Sequence, residues 1–258
     1  VAFDHKANIV VVSATYGTTN LLIKLIDLAV SSPWARCQEL LSDIEDRHLK
    51  LANELEASPS IIEQINEVLR ELETITKGVN LLKDCSLKAR DNILSVGERI
   101  SSPLMTMALK ALYTDKEVEL FDIRKVIKTD DNFGSATPDF KQIKTNSDKF
   151  LIGAKYGDVV YVTQGFIGSN DNGSTTTLGR GGSDYSAALI AEGMGADLLE
   201  IWTDVAGIKT TDPRFCDSAR PINEITFQEA AEMATMGAQI LHPTTCLLYT
   251  FSEPTRQA

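Results

Sequence analysis

Short runs of β-branched apolar residues alternate with helical segments along this chain, and this alternation constrains the fold more than any other feature. The predicted strands are Ile9–Val12, Val118–Ile123, Val126–Thr129, Asp158–Thr163 and Leu198–Thr203. The predicted helices that follow such runs are Leu21–Val30, Gly182–Met194 and Thr226–Met236. Continuous apolar strands that alternate with helices favour a mainly parallel sheet with helices on both faces. The fold class predicted from this pattern is therefore α/β.

One long stretch departs from the alternation. Residues 32–102 carry Leu, Ile, Glu and Lys at helical spacing, with a break predicted at Ser58–Ser60. Loops are predicted over Asp130–Asp139 and Gln164–Thr175, which are rich in Gly, Asn, Asp and Ser. No repeat or linker interrupts the chain, so we predict one domain over residues 1–258 with a helical subregion at about 32–102.

Composition excludes several classes of function. The net charge is -11, and such an acidic surface disfavours binding to nucleic acids or anionic membranes. No apolar run is long enough to cross a membrane. The four cysteines show no CxxC spacing, so reduced thiols are expected, and the three scattered histidines argue against a His-rich metal site. The sequence contains no GxSxG motif, which would indicate a Ser–His–Asp triad.

The segment Gly173–Ala187, GSTTTLGRGGSDYSA, is the strongest candidate for chemistry. Its glycines allow backbone N–H groups to approach an anion, and the start of the next helix favours negative charge. Arg180 offers a planar fork for a carboxylate or phosphate, and Asp184 could orient an ammonium group or a metal ion. The alternative is a glycine-rich turn that only begins a helix. The sequence is neither a GxxxxGK[ST] loop nor a dinucleotide-binding GxGxxG.

Three other positions are candidates on weaker grounds. Thr203 and Asp204 end a predicted strand and could face a ligand, or they could belong to a plain strand-to-loop connection. The loop Ser13–Asn20 follows the first strand and could bind phosphate or substrate through its hydroxyl groups. Glu98 could pair with a substrate ammonium group, or it could be a solvated surface carboxylate.

Seven segments of the chain are distinctive as motifs. They are VVVSATYGTTN, SVGERISS, FDIRKVIKTDDNFGSATPD, VTQGFIGS, TTTLGRGGSDYSA, EIWTDVAGIKTTDPR and EAAEMATMGAQILHP. In this order along the chain they resemble aspartate kinases. The similarity extends from about Ile9 to Pro243. It implies the amino-acid kinase fold, an open αβα sandwich. It also implies MgATP and L-aspartate as substrates, and the first step of lysine, threonine and methionine biosynthesis.

The resemblance also assigns residues to the aspartate. Thr19, Glu98 and Arg180 would lie at this substrate, with Arg180 on the α-carboxylate and Glu98 on the α-ammonium group. Ser13 and Ser183 would complete the pocket. A carboxylate nucleophile is already ionised at neutral pH, so the reaction needs positioning and charge neutralisation rather than a general base.

The remaining assignments concern the phosphates and the nucleotide. Arg180 and Asp184 are expected to be the catalytic residues, and Asp184 would assist the phosphate groups and Mg²⁺. The residues expected along the nucleotide are Thr203, Asp204, Lys209, Arg214 and Gln239.

The chain departs from the family pattern at several positions. The family begins with a Lys-Phe-Gly-Gly-Thr-Ser segment whose Lys contacts the transferred phosphates, and Lys6 does not match it. Gln239 stands where Lys is frequent, and Lys209 stands where Tyr is common. The final residues LLYTFSEPTRQA do not resemble the regulatory ACT domains of the family. We expect the N-terminal segment and the effector-binding domains to be absent from this chain.

Two alternative functions remain open at this point. A non-catalytic module that binds aspartate or a nucleotide would explain the missing Lys and Gln239. A kinase of the same fold acting on glutamate or carbamate is the other alternative. For the full-length protein we expect a homo-oligomer in the cytoplasm, or in the plastid of a plant.

The assignment of Arg180 can be tested by substitution. Arg180→Ala should weaken the binding of aspartate far more than that of ATP, because the guanidinium group would pair with the α-carboxylate. Separate titrations with aspartate and ATP measure the two effects. Equal weakening of both would contradict this role.

Overall fold

Three parallel strands form the main sheet of the computed structural model, which describes residues 7–113, 115–157, 159–203, 207–212 and 215–236. They are β1 (Ile9–Val12), β2 (Glu117–Phe121) and β3 (Val159–Gln164). The order is β1-β3-β2, with Val10 beside Val162 and Val118 beside Val160. The predicted strands at 9–12, 118–123 and 158–163 are therefore confirmed to within two residues at each end.

Eight helices and a short antiparallel hairpin complete the described part of the chain. The helices are α1 (Thr18–Ser31), α2 (Trp34–Glu54), α3 (Pro59–Leu82), α4 (Leu87–Leu112), α5 (Phe140–Phe150), α6 (Ile152–Tyr156), α7 (Gly182–Met194) and α8 (Phe227–Thr235). The hairpin consists of β4 (Ile167–Ser169) and β5 (Thr175–Thr177), and a 3-10 turn covers Ile123–Lys125.

The two faces of the sheet belong to different apolar clusters. Val10, Val12, Val160 and Val162 pack with residues of α4 such as Leu109 on one face. Ile9, Val11, Phe121 and Tyr161 pack with residues of α5 and α7 on the other face. This alternation follows from the two-residue period of a strand. The predicted arrangement of helices on both faces is therefore confirmed.

The helical subregion has its own core, to which α1 to α4 contribute. Leu22, Leu25, Ile44, Ile65 and Leu72 are completely buried there. The prediction of a helical stretch over 32–102 is confirmed, although α4 continues to Leu112. Because α4 packs against this core at one end and against the sheet at the other, it joins the two parts of the fold.

Three predicted elements are wrong. Val126–Thr129 is not a strand, since it follows the 3-10 turn and makes only isolated bridges. Gln164–Thr175 is not one loop, because it holds β4 and the first residue of β5. Leu198–Thr203 does not form a strand, and Trp202 within it is 58% exposed. None of the described helices is long and apolar enough to cross a membrane.

Gly97 allows α4 to approach the loop that follows β1. A Cβ atom at Gly97 would lie 2.7 Å from the Cβ of Ala14, which is closer than packed atoms come. We expect Gly97→Ala to lower the free energy of unfolding by about 1–3 kcal/mol, because the loop must move. The control is Gly78→Ala on α3, where nothing lies within 4 Å of the added carbon.

Gly78→Ala should raise the free energy of unfolding by about 0.5–1 kcal/mol through helix propensity. Urea unfolding of both variants measures the difference. Equal stability of the two variants would show that the loop is not packed tightly against α4.

Candidate active site

The carboxyl ends of β1 and β3 meet the beginning of α7. The N–H of Gly165, directly after β3, donates to the carbonyl oxygen of Val12 over 2.8 Å. A Cβ atom at Gly165 would lie 2.7 Å from the Cβ of Ser183 in the first turn of α7. Only a glycine fits there. Ser13, the residue after Val12, and Ser183 are thereby brought to the same edge of the sheet, where ligands of such folds bind.

Glu98 lies on α4 against the loop after β1, and its side chain is almost completely buried at 5% exposure. Its Oε1 accepts a hydrogen bond from the backbone N–H of Ala14 over 3.2 Å. Burial raises the pKa of the Glu98 carboxyl to about 7, and backbone hydrogen bonds oppose the shift. The solvated surface position considered from the sequence is therefore wrong.

The same loop is bonded to α4 a second time. The hydroxyl of Ser101 donates to the carbonyl oxygen of Ser13 over 2.7 Å. Glu98 and Ser101 are three residues apart and lie on the same face of α4. The backbone of Ser13 and Ala14 is thus held at a defined distance from the buried carboxylate.

Two helices at this edge begin without a side-chain cap. Gly17 precedes α1 and Gly181 precedes α7, both in the left-handed conformation with φ of 76° and 73°. By contrast, Ser58, Ser86 and Asp139 cap α3, α4 and α5 through side-chain oxygens. Uncapped helix N-termini offer N–H groups and a positive dipole to an anion.

A second buried carboxylate was missed by the sequence analysis. Asp91 on α4 is completely buried. It accepts hydrogen bonds from the N–H groups of Gly134 and Thr177 over 3.0 and 2.9 Å, and from the Thr177 hydroxyl over 2.8 Å. Burial raises the pKa of Asp91 above its usual value. Asp91 therefore joins α4 to the 130–139 loop and to β5, the strand that leads to Arg180. No local sequence pattern distinguishes Asp91 from a surface aspartate.

Phe166 was also missed. Its φ of 68° is unusual for a residue with a side chain. Its carbonyl oxygen accepts a hydrogen bond from the N–H of Leu178 over 2.9 Å. A Cβ atom at Gly182 would lie 2.7 Å from its ring. Such strained backbone positions often occur at functional sites, and this one lies between β3 and the start of α7.

The predicted substrate residues are found around this edge. Glu98 is buried, Ser183 and Asp184 are partly buried, and Ser13, Thr19 and Arg180 are exposed. Arg180 directly precedes Gly181, and Asp184 is the acidic residue in the first turn of α7. Thr19 is the second residue of α1.

The predicted nucleotide residues lie elsewhere along the chain. Thr203 is exposed and Lys209 is partly buried beside Pro221, and both belong to the segment after α7. Asp204, Arg214 and Gln239 lie outside the described residues. Over the described ranges there is no cluster of three His, Cys, Asp or Glu residues that could hold a metal ion.

Comparisons with known proteins identify the class. Residues 2–250 match the family model described as "Amino acid kinase family". The chain therefore belongs to the amino acid kinase family. Within this family it is similar to lysine-sensitive aspartokinase 3 of Escherichia coli (strain K12), with 41% identity over 95% of this chain and 53% of that protein. It is also 33% identical to aspartokinase 1, chloroplastic, of Arabidopsis thaliana, over 93% of this chain and 42% of that protein.

Solved structures show the same fold. The structure of E. coli aspartokinase III in complex with aspartate and ADP (R-state) aligns with a TM-score of 0.87 and 40% identity, over 95% of this chain and 53% of that chain. Its complex with lysine and aspartate (T-state) aligns with a TM-score of 0.82 and the same identity, over 95% of this chain and 54% of that chain. The chain thus spans about half the length of these relatives.

The burial of Glu98 predicts how the free energy of unfolding depends on pH. Its pKa in the folded chain exceeds the ordinary value, so its contribution to stability is complete below about pH 4.5 and is lost as pH rises through about 7. We expect Glu98→Gln to raise the free energy of unfolding at pH 8 on the order of 3 kcal/mol, with little gain at pH 4.5.

Urea unfolding at both pH values measures this effect. Glu73→Gln on the exposed side of α3 is the control, and its effect should be small at both pH values. A gain for Glu98→Gln that does not change with pH would show that Glu98 is not a buried titrating carboxyl.

Proposed function

We propose that this chain carries the catalytic domain of an aspartate kinase. It transfers the γ-phosphoryl group of MgATP to the side-chain carboxylate of L-aspartate, and the products are 4-phospho-L-aspartate and ADP. The observation that carries the proposal is the buried Glu98 carboxylate beside the loop after β1, at the edge where the uncapped helix α7 begins.

Recognition of aspartate needs one negative group and at least one positive group. Glu98 supplies the negative group for the α-ammonium group, and Arg180 supplies a forked cation for the α-carboxylate. The hydroxyl groups of Ser13, Thr19 and Ser183 complete the pocket. Glu98 is almost completely buried and Arg180 is exposed, so an amino acid would lie between the interior and the solvent.

The raised pKa of Glu98 has a role in this scheme. Near neutral pH the carboxyl is only partly ionised, because burial disfavours its charge. A substrate ammonium group would restore the charge and release a proton. Aspartate should accordingly bind more tightly as pH rises through 7.

The transfer itself requires no general base. A side-chain oxygen of aspartate attacks the γ-phosphorus, and the bond from this phosphorus to the bridging oxygen of ADP breaks. The N–H groups at the start of α7 are suited to the charge of the phosphoryl group. Magnesium enters with ATP as part of the substrate and neutralises phosphate charge. Asp184, the carboxylate in the first turn of α7, would hold it.

The nucleotide would lie along the segment after α7. Thr203, Asp204, Lys209, Arg214 and Gln239 are the residues proposed for this part of the site. Lys209 is a cation at a partly buried position, so it can contribute both charge and packing next to the nucleotide.

The relatives support the proposal and extend it to the full-length protein. One is named a lysine-sensitive aspartokinase, and its structures contain aspartate with ADP or with lysine. We propose that the full-length protein is a homo-oligomer regulated by an amino acid. Its place is the cytoplasm, or the plastid in a plant, and its role is in amino-acid biosynthesis.

The test is an aspartyl-hydroxamate assay with Mg²⁺, ATP and L-aspartate, on this chain and on the full-length gene product. Activity in the full-length product, lost in Glu98→Gln and kept in Glu73→Gln, is the expected result. Activity only with the full-length product would show that segments outside this chain supply essential contacts. Replacing aspartate with L-glutamate tests the choice of substrate.

Two outcomes would overturn the proposal. Aspartate binding without turnover in either protein would mean that the site is a non-catalytic binding module. Equal turnover of glutamate would mean that the site does not select the length of the aspartate side chain.

A further inference from the structure

The loop from Ser13 to Thr18 is held from two sides. On one side α4 binds it through Glu98 and Ser101, as described above. On the other side two consecutive residues of α2 contact it. The Arg47 guanidinium donates to the carbonyl oxygen of Tyr16, and the His48 ring lies against the hydroxyl groups of Thr15 and Thr18.

The protonation of His48 follows from its contacts. The imidazole is completely buried, and its Nδ1 lies 2.7 Å from the backbone carbonyl oxygen of Ile44. A carbonyl oxygen can only accept, so Nδ1 must carry a proton. Burial and the nearby Arg47 charge lower the pKa of His48, so the ring is neutral at pH 7. The other nitrogen, Nε2, is therefore an acceptor.

This acceptor sets the direction of a short chain of hydrogen bonds. The hydroxyl oxygens of Thr15 and Thr18 are 3.1 and 3.4 Å from Nε2, and 2.7 Å from each other. Nε2 has one lone pair, so the nearer hydroxyl, that of Thr15, donates to it. Thr18 then donates to Thr15. Each hydroxyl proton thus has a defined partner, as a buried polar network requires.

The tip of the loop, at Tyr16 and Gly17, depends on these polar contacts because it has little packing of its own. Tyr16 is 92% exposed, and Gly17 has no side chain. Thr18 is completely buried at the first position of α1, and Thr19 is the next residue. The position of Thr18 therefore determines where α1 begins and where Thr19 and the uncapped N–H groups of the helix lie.

We propose that His48 is a positioning residue, which fixes the loop Ser13–Thr18 and the start of α1 through the Thr15 and Thr18 hydroxyls and thereby sets the affinity for aspartate. The effect on the affinity for aspartate rests on the proposed function. His48 does not touch the substrate. His48 lies on α2 and contacts the loop from one side, while Glu98 and Ser101 of α4 bind its backbone from the other side. The two sets of contacts together define one position of the loop.

The experiment compares His48→Leu, which removes the acceptor, with His48→Gln, whose Oε1 can take the place of Nε2. Hydrogen exchange of the backbone amides measures the order of the loop, and calorimetric titration measures the binding of aspartate and of MgATP. Thr76→Val is the control for stability. The buried Thr76 hydroxyl donates to the carbonyl oxygen of Leu72 within α3, and it has no part in holding the loop.

We expect His48→Leu to accelerate exchange at residues 14–20 by about tenfold and to weaken aspartate binding by a similar factor, which corresponds to one hydrogen bond. MgATP binding should change by less than about twofold. His48→Gln should restore both values, and Thr76→Val should change neither. Thr15→Val should reproduce the effect, with no further loss in the double variant.

Two results would overturn the proposal. The first is lower stability of His48→Leu with unchanged exchange at residues 14–20, which would make His48 a core residue only. The second is faster exchange without a change in aspartate affinity, which would separate the loop from the substrate. If the unsubstituted protein binds no aspartate, the proposed function fails, while the exchange of the loop amides still decides whether His48 positions the loop.

Discussion

The close contact between α4 and the loop after β1 is the constraint on which the rest of the site depends. Gly97 permits it, because any side chain there would collide with Ala14. Glu98, the next residue, then reaches the N–H of Ala14 from a buried position. Since α4 also contributes to the core of the helical subregion, a displacement of that subregion would be transmitted to the loop at the carboxyl end of β1.

Buried polar groups also define the positions of the loops around the site. Asp91 joins α4 to the 130–139 loop and to β5, and His48 joins α2 to the loop after β1. Each of these groups forms directional hydrogen bonds with its partners. Such bonds restrict the position of a loop more than non-directional hydrophobic contacts do. Glu98 differs from Asp91, because it accepts one bond from another residue's N–H and keeps capacity for a ligand.

The polar hairpin shows why local patterns were insufficient in part of the fold. Thr175, Thr176 and Thr177 are all buried, although the sequence predicts a loop over Gln164–Thr175. Their hydroxyls have distant partners: Arg124 donates to Thr175, Thr129 bonds to Thr176, and Thr177 donates to Asp91. These partners lie 47 to 86 residues away in sequence, so no short window of the sequence contains them.

The sequence by itself determined the α/β class, the membership in a kinase family and helix α7 with its limits at Gly182 and Met194. These depend on short-range features: the two-residue period of strands, the spacing of apolar helical residues, and glycines at the start and end of a helix. It also indicated candidate residues for the site, through motifs in a recognisable order.

Only the tertiary structure decided which of these residues meet, and in what state. The burial of Glu98, its raised pKa, the hidden Asp91 and the neutral His48 all depend on neighbours from other elements. Protonation and position follow from desolvation and long-range hydrogen bonds, and these exist only once the helices and strands have packed together.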